Sequence, residues 1–280
     1  MTIAPLVAVS HKAYFDARRT RQWLASVAKQ LAARPRGAAT ELLVLPATPL
    51  LGDAVTALAG TGASVGVQDV SAHGLGAHTG ELPAELAKEL GAAVAMVGHA
   101  ERRRDQGETD DLVRRKAAAV WAAGITPLIC VGETQQANAA VAAAKTVAQL
   151  LRVRPDIAPQ GARMIVAYEP VWAIGAADAA PDDYVVQVCE AIRSEVAGLP
   201  IDSRVIYGGS AGPGQLTRLA DHVDGLFLGR RAHDPAALIS VLDEALTLNR
   251  TARRHKTIPS PTGNLEKLPN AGHRDEQEQW

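Results

Sequence analysis

Eight short, uninterrupted apolar runs, each followed by a loop and an alanine-rich helical pattern, constrain this chain more than any other feature. They occupy residues 6–9, 42–45, 65–68, 93–97, 125–130, 164–168, 205–207 and 226–228. A strand that is apolar at every position, rather than at every second one, must be covered on both faces. That is the condition of a parallel sheet carrying helices. The runs recur about every thirty residues, the size of one strand–helix unit. Eight such units predict an α/β fold, a closed (β/α)8 barrel, as one domain over residues 1–248.

Helix punctuation agrees with that count. The segment from Asp111 to Ala123 opens on an acidic residue and is stopped by Gly124, just before the fifth run. Pro181-Asp-Asp183 likewise opens a helix expected through Glu195 and ending near Gly198. Beyond Leu248 the apolar periodicity fades into charges, prolines and glycines, which predicts a polar, disordered tail over 249–280 that ends in Trp280.

Composition closes off several functions. With 47% hydrophobic and 21% charged residues among 280, the chain reads as an ordinary soluble globular protein. A net charge of -1, with only short basic clusters at 102–104 and 253–256, argues against nucleic-acid binding. No apolar run reaches the ~18 residues that span a bilayer. The N-terminus also lacks a signal-peptide series, so a cytoplasmic protein without a membrane partner is expected. Cys130, in an apolar run, and Cys189, in a helical pattern, read as two buried reduced thiols rather than a disulfide.

Barrels of this kind gather their chemistry at the C-terminal ends of the strands. Lys12 follows the first run, His99 and Glu101 the fourth, Glu169 the sixth, Tyr207-Gly-Gly-Ser210 the seventh and Gly229-Arg230 the eighth. A carboxylate, an imidazole and an ammonium therefore converge on one mouth. Glu169 ends a buried strand beside Pro170 and Trp172, where water can be excluded, the setting of a base that takes a proton from carbon. Trp172 beside Pro170 reads as a stiff hinge for the following loop. His73 and His78 lack acidic or cysteine partners at metal-ligand spacing, so neither a metal site nor a cofactor is expected.

Taken together, Gly98-His-Ala-Glu-Arg-Arg103, Ala167-Tyr-Glu-Pro-Val-Trp-Ala-Ile-Gly175, Val131-Gly-Glu133, Gly76-Ala-His-Thr-Gly-Glu81 and Tyr207-Gly-Gly-Ser210 resemble the signature segments of the triosephosphate isomerase family. The likeness runs over residues 5–248. It implies that Glu169 removes a proton next to a substrate carbonyl and that a neutral His99 polarises the carbonyl oxygen. Lys12 would supply positive charge to the intermediate and the phosphate. His99 precedes a short helix, whose N-terminus would disfavour its charged form. Glu101 either orients Lys12 or pairs with Arg102 or another basic neighbour.

The resemblance further implies a small phosphorylated sugar as substrate. Its phosphate would be held by backbone N–H groups at Gly208, Gly209 and Gly229, by Ser210, and by Gly175 and Ala176 of a lid loop. It also implies a homodimer through the 71–81 loop, with Thr79 reaching the neighbouring site.

Four positions depart from the family pattern. Ser10 stands where asparagine is usual, removing an amide near the substrate. Ala176-Ala-Asp-Ala-Ala-Pro181 replaces a lid that commonly reads Thr-Gly-Lys-Thr-Ala. Gly229-Arg230 replaces a glycine pair, so that Arg230 either crowds or extends the phosphate cradle, or turns outward to an acidic neighbour. Ala100 takes the place of a serine thought to park the glutamate. Retained acid/base groups inside altered walls imply the same proton transfer on a changed substrate. Ser10 and the segment Gly225-Leu-Phe-Leu-Gly-Arg230 resemble family members that isomerise a four-carbon ketose phosphate such as L-erythrulose 1-phosphate. The alternatives are a triosephosphate isomerase interconverting dihydroxyacetone phosphate and glyceraldehyde 3-phosphate, and a non-catalytic phosphometabolite-binding barrel. The last is motivated by Ser10, Asp178 and Arg230.

Overall fold

A computed structural model of the chain describes residues 4–34, 40–156, 158–176 and 179–256. Its strands are β1 (Leu6–Ser10), β2 (Glu41–Leu45), β3 (Ser64–Val67), β4 (Val94–Val97), β5 (Thr126–Val131), β6 (Arg163–Tyr168), β7 (Asp202–Tyr207) and β8 (Gly225–Leu228). All pair in parallel with their sequence neighbours, and β8 pairs with β1, so the sheet closes into the expected barrel. β7 begins three residues ahead of its apolar run, because Asp202 and Ser203 pair through their backbones with Arg163 and Met164 whatever their side chains.

The helices among the described residues are α1 (Ala17–Ala32), α2 (Leu51–Leu58), α3 (Ala84–Glu89), α4 (Ala100–Gln106), α5 (Asp110–Ala122), α6 (Ala139–Val153), α7 (Asp182–Ala197), α8 (Gln215–Leu219) and α9 (Pro235–Lys256). The side chain of Thr109 accepts the Leu112 N–H, so α5 starts one residue earlier than its acidic cluster implies. α9 overruns Leu248 and carries the chain helically to Lys256, because no proline or glycine interrupts it before Pro259. The tail expected beyond it, Trp280 included, lies outside the described residues.

The core divides by strand parity. Leu6, Ala8, Leu43, Leu45, Val94, Met96, Leu128, Cys130, Ile165, Ala167, Ile206 and Phe227 fill the barrel interior. The intervening positions, such as Val7, Val9, Leu42, Val44, Val166 and Val205, pack outward beneath the helices. This double burial is why the strands are apolar throughout. The inward parity reaches Ser10, the last residue of β1, and, carried one step past the other strands, Gly98, Gly132, Glu169, Gly208 and Gly229, which stand at the mouth of the barrel.

One polar group is buried close to this mouth. His11 is fully buried, edge-on to Trp23 at 4.3 Å between ring centroids and tilted against Phe15 at 4.8 Å. Neither ring nitrogen has a hydrogen-bond partner. Burial, and secondarily the charge of His233, lowers its pKa from 6.5 to about 4. Between those values the unfolded chain takes up a proton that the folded ring refuses, so stability is lost as pH falls through the window. The loss is about 3 kcal/mol at the lower end. His11→Phe should remove that component. The difference in unfolding free energy between wild type and variant should shift by about 3 kcal/mol between pH 7 and pH 4 in denaturant titrations. A difference independent of pH would refute the assignment.

Candidate active site

A cleft of about 940 Å³ opens at the C-terminal ends of the strands. Ser10, Lys12, His99, Glu101, Glu169, Gly175, Ala176, Gly208, Ser210, Gly229 and Arg230 all line it. Ala177 and Asp178 of the expected lid lie outside the described residues.

Glu169 leaves β6 with its N–H donated to the Val131 carbonyl (2.8 Å) and its side chain buried. Two glycines make room for it. A Cβ on Gly132 would collide with the Glu169 carbonyl oxygen, and one on Gly208 would lie 2.8 Å from Glu169 Cγ. The Cys130 thiol is driven well up in pKa by burial and by this carboxylate beside it. Glu169 Oε2 has no hydrogen-bond partner and lies 3.6 Å from His99 Nε2, beyond hydrogen-bond reach. An unsatisfied carboxylate oxygen in a buried position is costly, and active sites are where such groups persist.

His99 caps α4. Gly98, with φ +72°, turns the chain so that His99 faces the cleft instead of the helices. His99 Nδ1 accepts the Glu101 N–H (3.2 Å), which leaves the ring proton on Nε2, facing Glu169. Glu101 resolves its two sequence alternatives in favour of Lys12: Nζ sits 2.7 Å from Oε1. Arg102 pairs instead with Glu108 and Asp69. Lys12 itself adopts φ +48°, a strained backbone for a side-chain-bearing residue. Its N–H is held by Ser10 Oγ (3.2 Å) and its carbonyl by Gln68 Nε2 (3.1 Å).

The glycine cradle differs from expectation at two positions. The Gly208 N–H is donated to the Tyr168 carbonyl (2.9 Å), so Gly208 serves as space for Glu169 rather than as an anion donor. Gly209 does not line the cleft. It packs beneath Tyr207 Oη and Pro170, where a Cβ would lie 2.6 Å from that oxygen. Ser210, at φ +55°, donates its hydroxyl to the Ala173 carbonyl (2.9 Å). Among the described residues Arg230 meets no carboxylate; its Nη2 donates to the Gly175 carbonyl (3.2 Å).

Glu133 closes the Val131-Gly-Glu133 segment, and its role emerges only from its neighbours in space. Its buried carboxylate accepts from Trp172 Nε1 (2.7 Å), Tyr184 Oη (2.7 Å) and Tyr168 Oη (3.2 Å). Burial, then Glu133 itself, pushes the Tyr184 phenol up to about 12 and Tyr168 still higher, so both remain donors. Trp172 is thereby anchored, which fixes the segment leaving Glu169. The partners lie 35 to 51 residues from Glu133, too far for any local pattern to signal.

The fold and the site thus define a (β/α)8 barrel in which a carboxylate, an imidazole and an ion-paired ammonium share one cleft. The family model for triosephosphate isomerase matches residues 5–245. An L-erythrulose-1-phosphate isomerase of Pectobacterium atrosepticum is 44% identical, over 87% of this chain and 96% of that protein. A triosephosphate isomerase of Thermus thermophilus is 39% identical, over 85% and 97%. The crystal structure of triosephosphate isomerase from Bartonella henselae superposes with a TM-score of 0.74 at 29% identity, covering 86% of this chain and 98% of that one. The chain belongs to the triosephosphate isomerase family.

Glu133→Gln places an amide nitrogen among Trp172, Tyr168, Tyr184 and Thr146, all of them donors, and removes a charged acceptor, a loss of about 1–3 kcal/mol. Thermal unfolding should fall by several degrees. An unchanged midpoint would show that the Trp172 anchor adds nothing to the fold.

Proposed function

We propose that this protein is a sugar-phosphate isomerase that moves a proton between adjacent carbons through an enediolate, acting on a four-carbon ketose phosphate such as L-erythrulose 1-phosphate. The observation that carries the chemistry is the unpartnered Glu169 Oε2 facing His99 Nε2 across 3.6 Å. In this reading Glu169 takes the proton from the carbon beside the carbonyl, in a setting where water is displaced. His99 Nε2–H stabilises the oxygen on which charge develops, and Lys12, oriented by Glu101, adds fixed positive charge. Ser210, Gly229 and Arg230, with Gly175 and Ala176, contact the phosphate end, and Ser10 borders the substrate beside Lys12.

The four-carbon substrate is supported by the 44% identity to an L-erythrulose-1-phosphate isomerase and by the small Ser10 side chain in the cleft wall. Dihydroxyacetone phosphate is the competing substrate, favoured by the 39% identity to a triosephosphate isomerase.

The working form is proposed to be a cytoplasmic homodimer. The two cysteines are unpaired, and among the described residues no helix is long and apolar enough to cross a membrane. Residues 73–81 are exposed, with Leu75 at 69%, on a loop closed at its base by Ser71 N–H to the Leu82 carbonyl (2.8 Å). His73 and His78 stack within it at 4.3 Å.

Turnover in heavy water should place deuterium on the carbon next to the substrate carbonyl, and Glu169→Gln should slow the reaction about a thousandfold. Absence of exchange with both three- and four-carbon ketose phosphates would defeat the reading. The ratio of kcat/KM for L-erythrulose 1-phosphate over dihydroxyacetone phosphate should exceed one; the reverse order overturns the substrate and leaves the proton transfer standing. Light scattering should give twice the chain mass, falling to one chain on deletion of residues 73–79.

A further inference from the structure

One side of the cleft is lined by Ile174, Gly175 and Ala176, by Ser210 and Ala211, and by Arg230 and Arg231, which open the 3-10 turn Arg230–His233 after β8. This turn is tied to both other segments. Arg230 Nη2 donates to the Gly175 carbonyl (3.2 Å), and the Arg231 side chain lies across Gly212, where a Cβ would collide with it. The turn is also braced from behind. Trp23 Nε1 donates to the Ala232 carbonyl (2.9 Å), and the His233 ring packs on Phe15 (4.6 Å) and Tyr14 (5.2 Å). Core contacts therefore set where the two arginines emerge.

Their ion pairing distinguishes them from the other cations of the cleft. Lys12 is paired with Glu101, Arg103 with Asp110 and Arg104 with Asp105. Among the described residues, Arg230 and Arg231 are the cleft-lining cations with no carboxylate within 4.0 Å. Two neighbouring guanidiniums with no carboxylate partner among the described residues match a dianion, and guanidinium is the side chain suited to forked contacts with phosphate.

We propose that Arg230 and Arg231 bind the substrate's phosphate through their side chains, and that Arg230 shares its guanidinium between that phosphate and the Gly175 carbonyl. A guanidinium carries five N–H donors, and Gly175 engages one nitrogen, leaving the others for the anion. One side chain then links the segment leaving Glu169 to the charged end of the substrate. The reading of the site as an isomerase supplies the phosphate ester, but the clamp itself is testable without turnover.

The full-length chain is titrated calorimetrically with inorganic phosphate at low ionic strength. Arg230→Ala and Arg231→Ala should each weaken binding about tenfold, and the double variant about a hundredfold. Arg230→Lys should remain several-fold weaker than wild type, because an ammonium lacks the fork. Guanidinium ion should restore part of the affinity of Arg230→Ala. In turnover assays Arg230→Ala should raise KM more than it lowers kcat, and the salt dependence of kcat/KM should flatten in the double variant.

Phosphate affinity within twofold of wild type in both alanine variants, or no phosphate binding by wild type, overturns the clamp. Equal binding by Arg230→Lys and wild type overturns the shared guanidinium. Phosphate binding that falls as expected in a protein that turns over no ketose phosphate sustains the clamp and removes the isomerase reading. Both arginines are exposed, so their replacement leaves the core intact.

Discussion

Closing eight parallel strands into a barrel obliges every strand to send alternate side chains inward, and the geometry of the mouth follows from that alternation. Ser10 continues the parity of Leu6 and Ala8, and Glu169 that of Ile165 and Ala167. The strands deliver chemistry to one cleft because the rule that packs the interior still operates at their last residue, as at Ser10, or one residue beyond, as at Glu169. Where the parity would place a side chain wrongly, glycine corrects it. Gly98 turns the chain to bring His99 inward, and Gly132 and Gly208 vacate the volume that Glu169 occupies.

Around that frame, polar groups are satisfied in a graded way. Lys116 is bound by Asp69 (2.8 Å) and Glu108 (2.5 Å), and Arg102 joins the same carboxylates, which fixes α4 and α5 beneath His99. Glu133 collects three aromatic donors and holds Trp172. Lys116 and Glu133 are each bonded several times over, whereas Glu169 Oε2 at the centre is left without a partner. Well-satisfied buried polar networks rigidify, and a rigid surround is what allows a reactive carboxylate oxygen to stay unsatisfied.

Much of this was legible in the chain. The eight runs gave the barrel, since only double burial makes strands apolar throughout, and the rule of strand ends placed Lys12, His99, Glu101 and Glu169 together. The boundaries of β7 and α9 were less accessible, because backbone pairing extends β7 through polar residues and an absence of helix breakers extends α9. Gly208 and Gly209 show the limit of motif reading. A glycine pair after a strand signals a close approach, but whether the approaching atom belongs to an anion, to Glu169 or to Tyr207 is set by neighbours remote in sequence.

By itself the sequence determined the fold class and the chemical types gathered at one mouth, because hydrophobic periodicity and strand order act locally and repeat. Only the tertiary structure decided the pairings: Glu101 with Lys12 rather than Arg102, Arg230 with the Gly175 carbonyl, and Glu133 with Trp172 and two tyrosines. Hydrogen bonds and ion pairs form over about 3 Å, a scale that depends on how distant segments meet. No spacing along the chain encodes that distance.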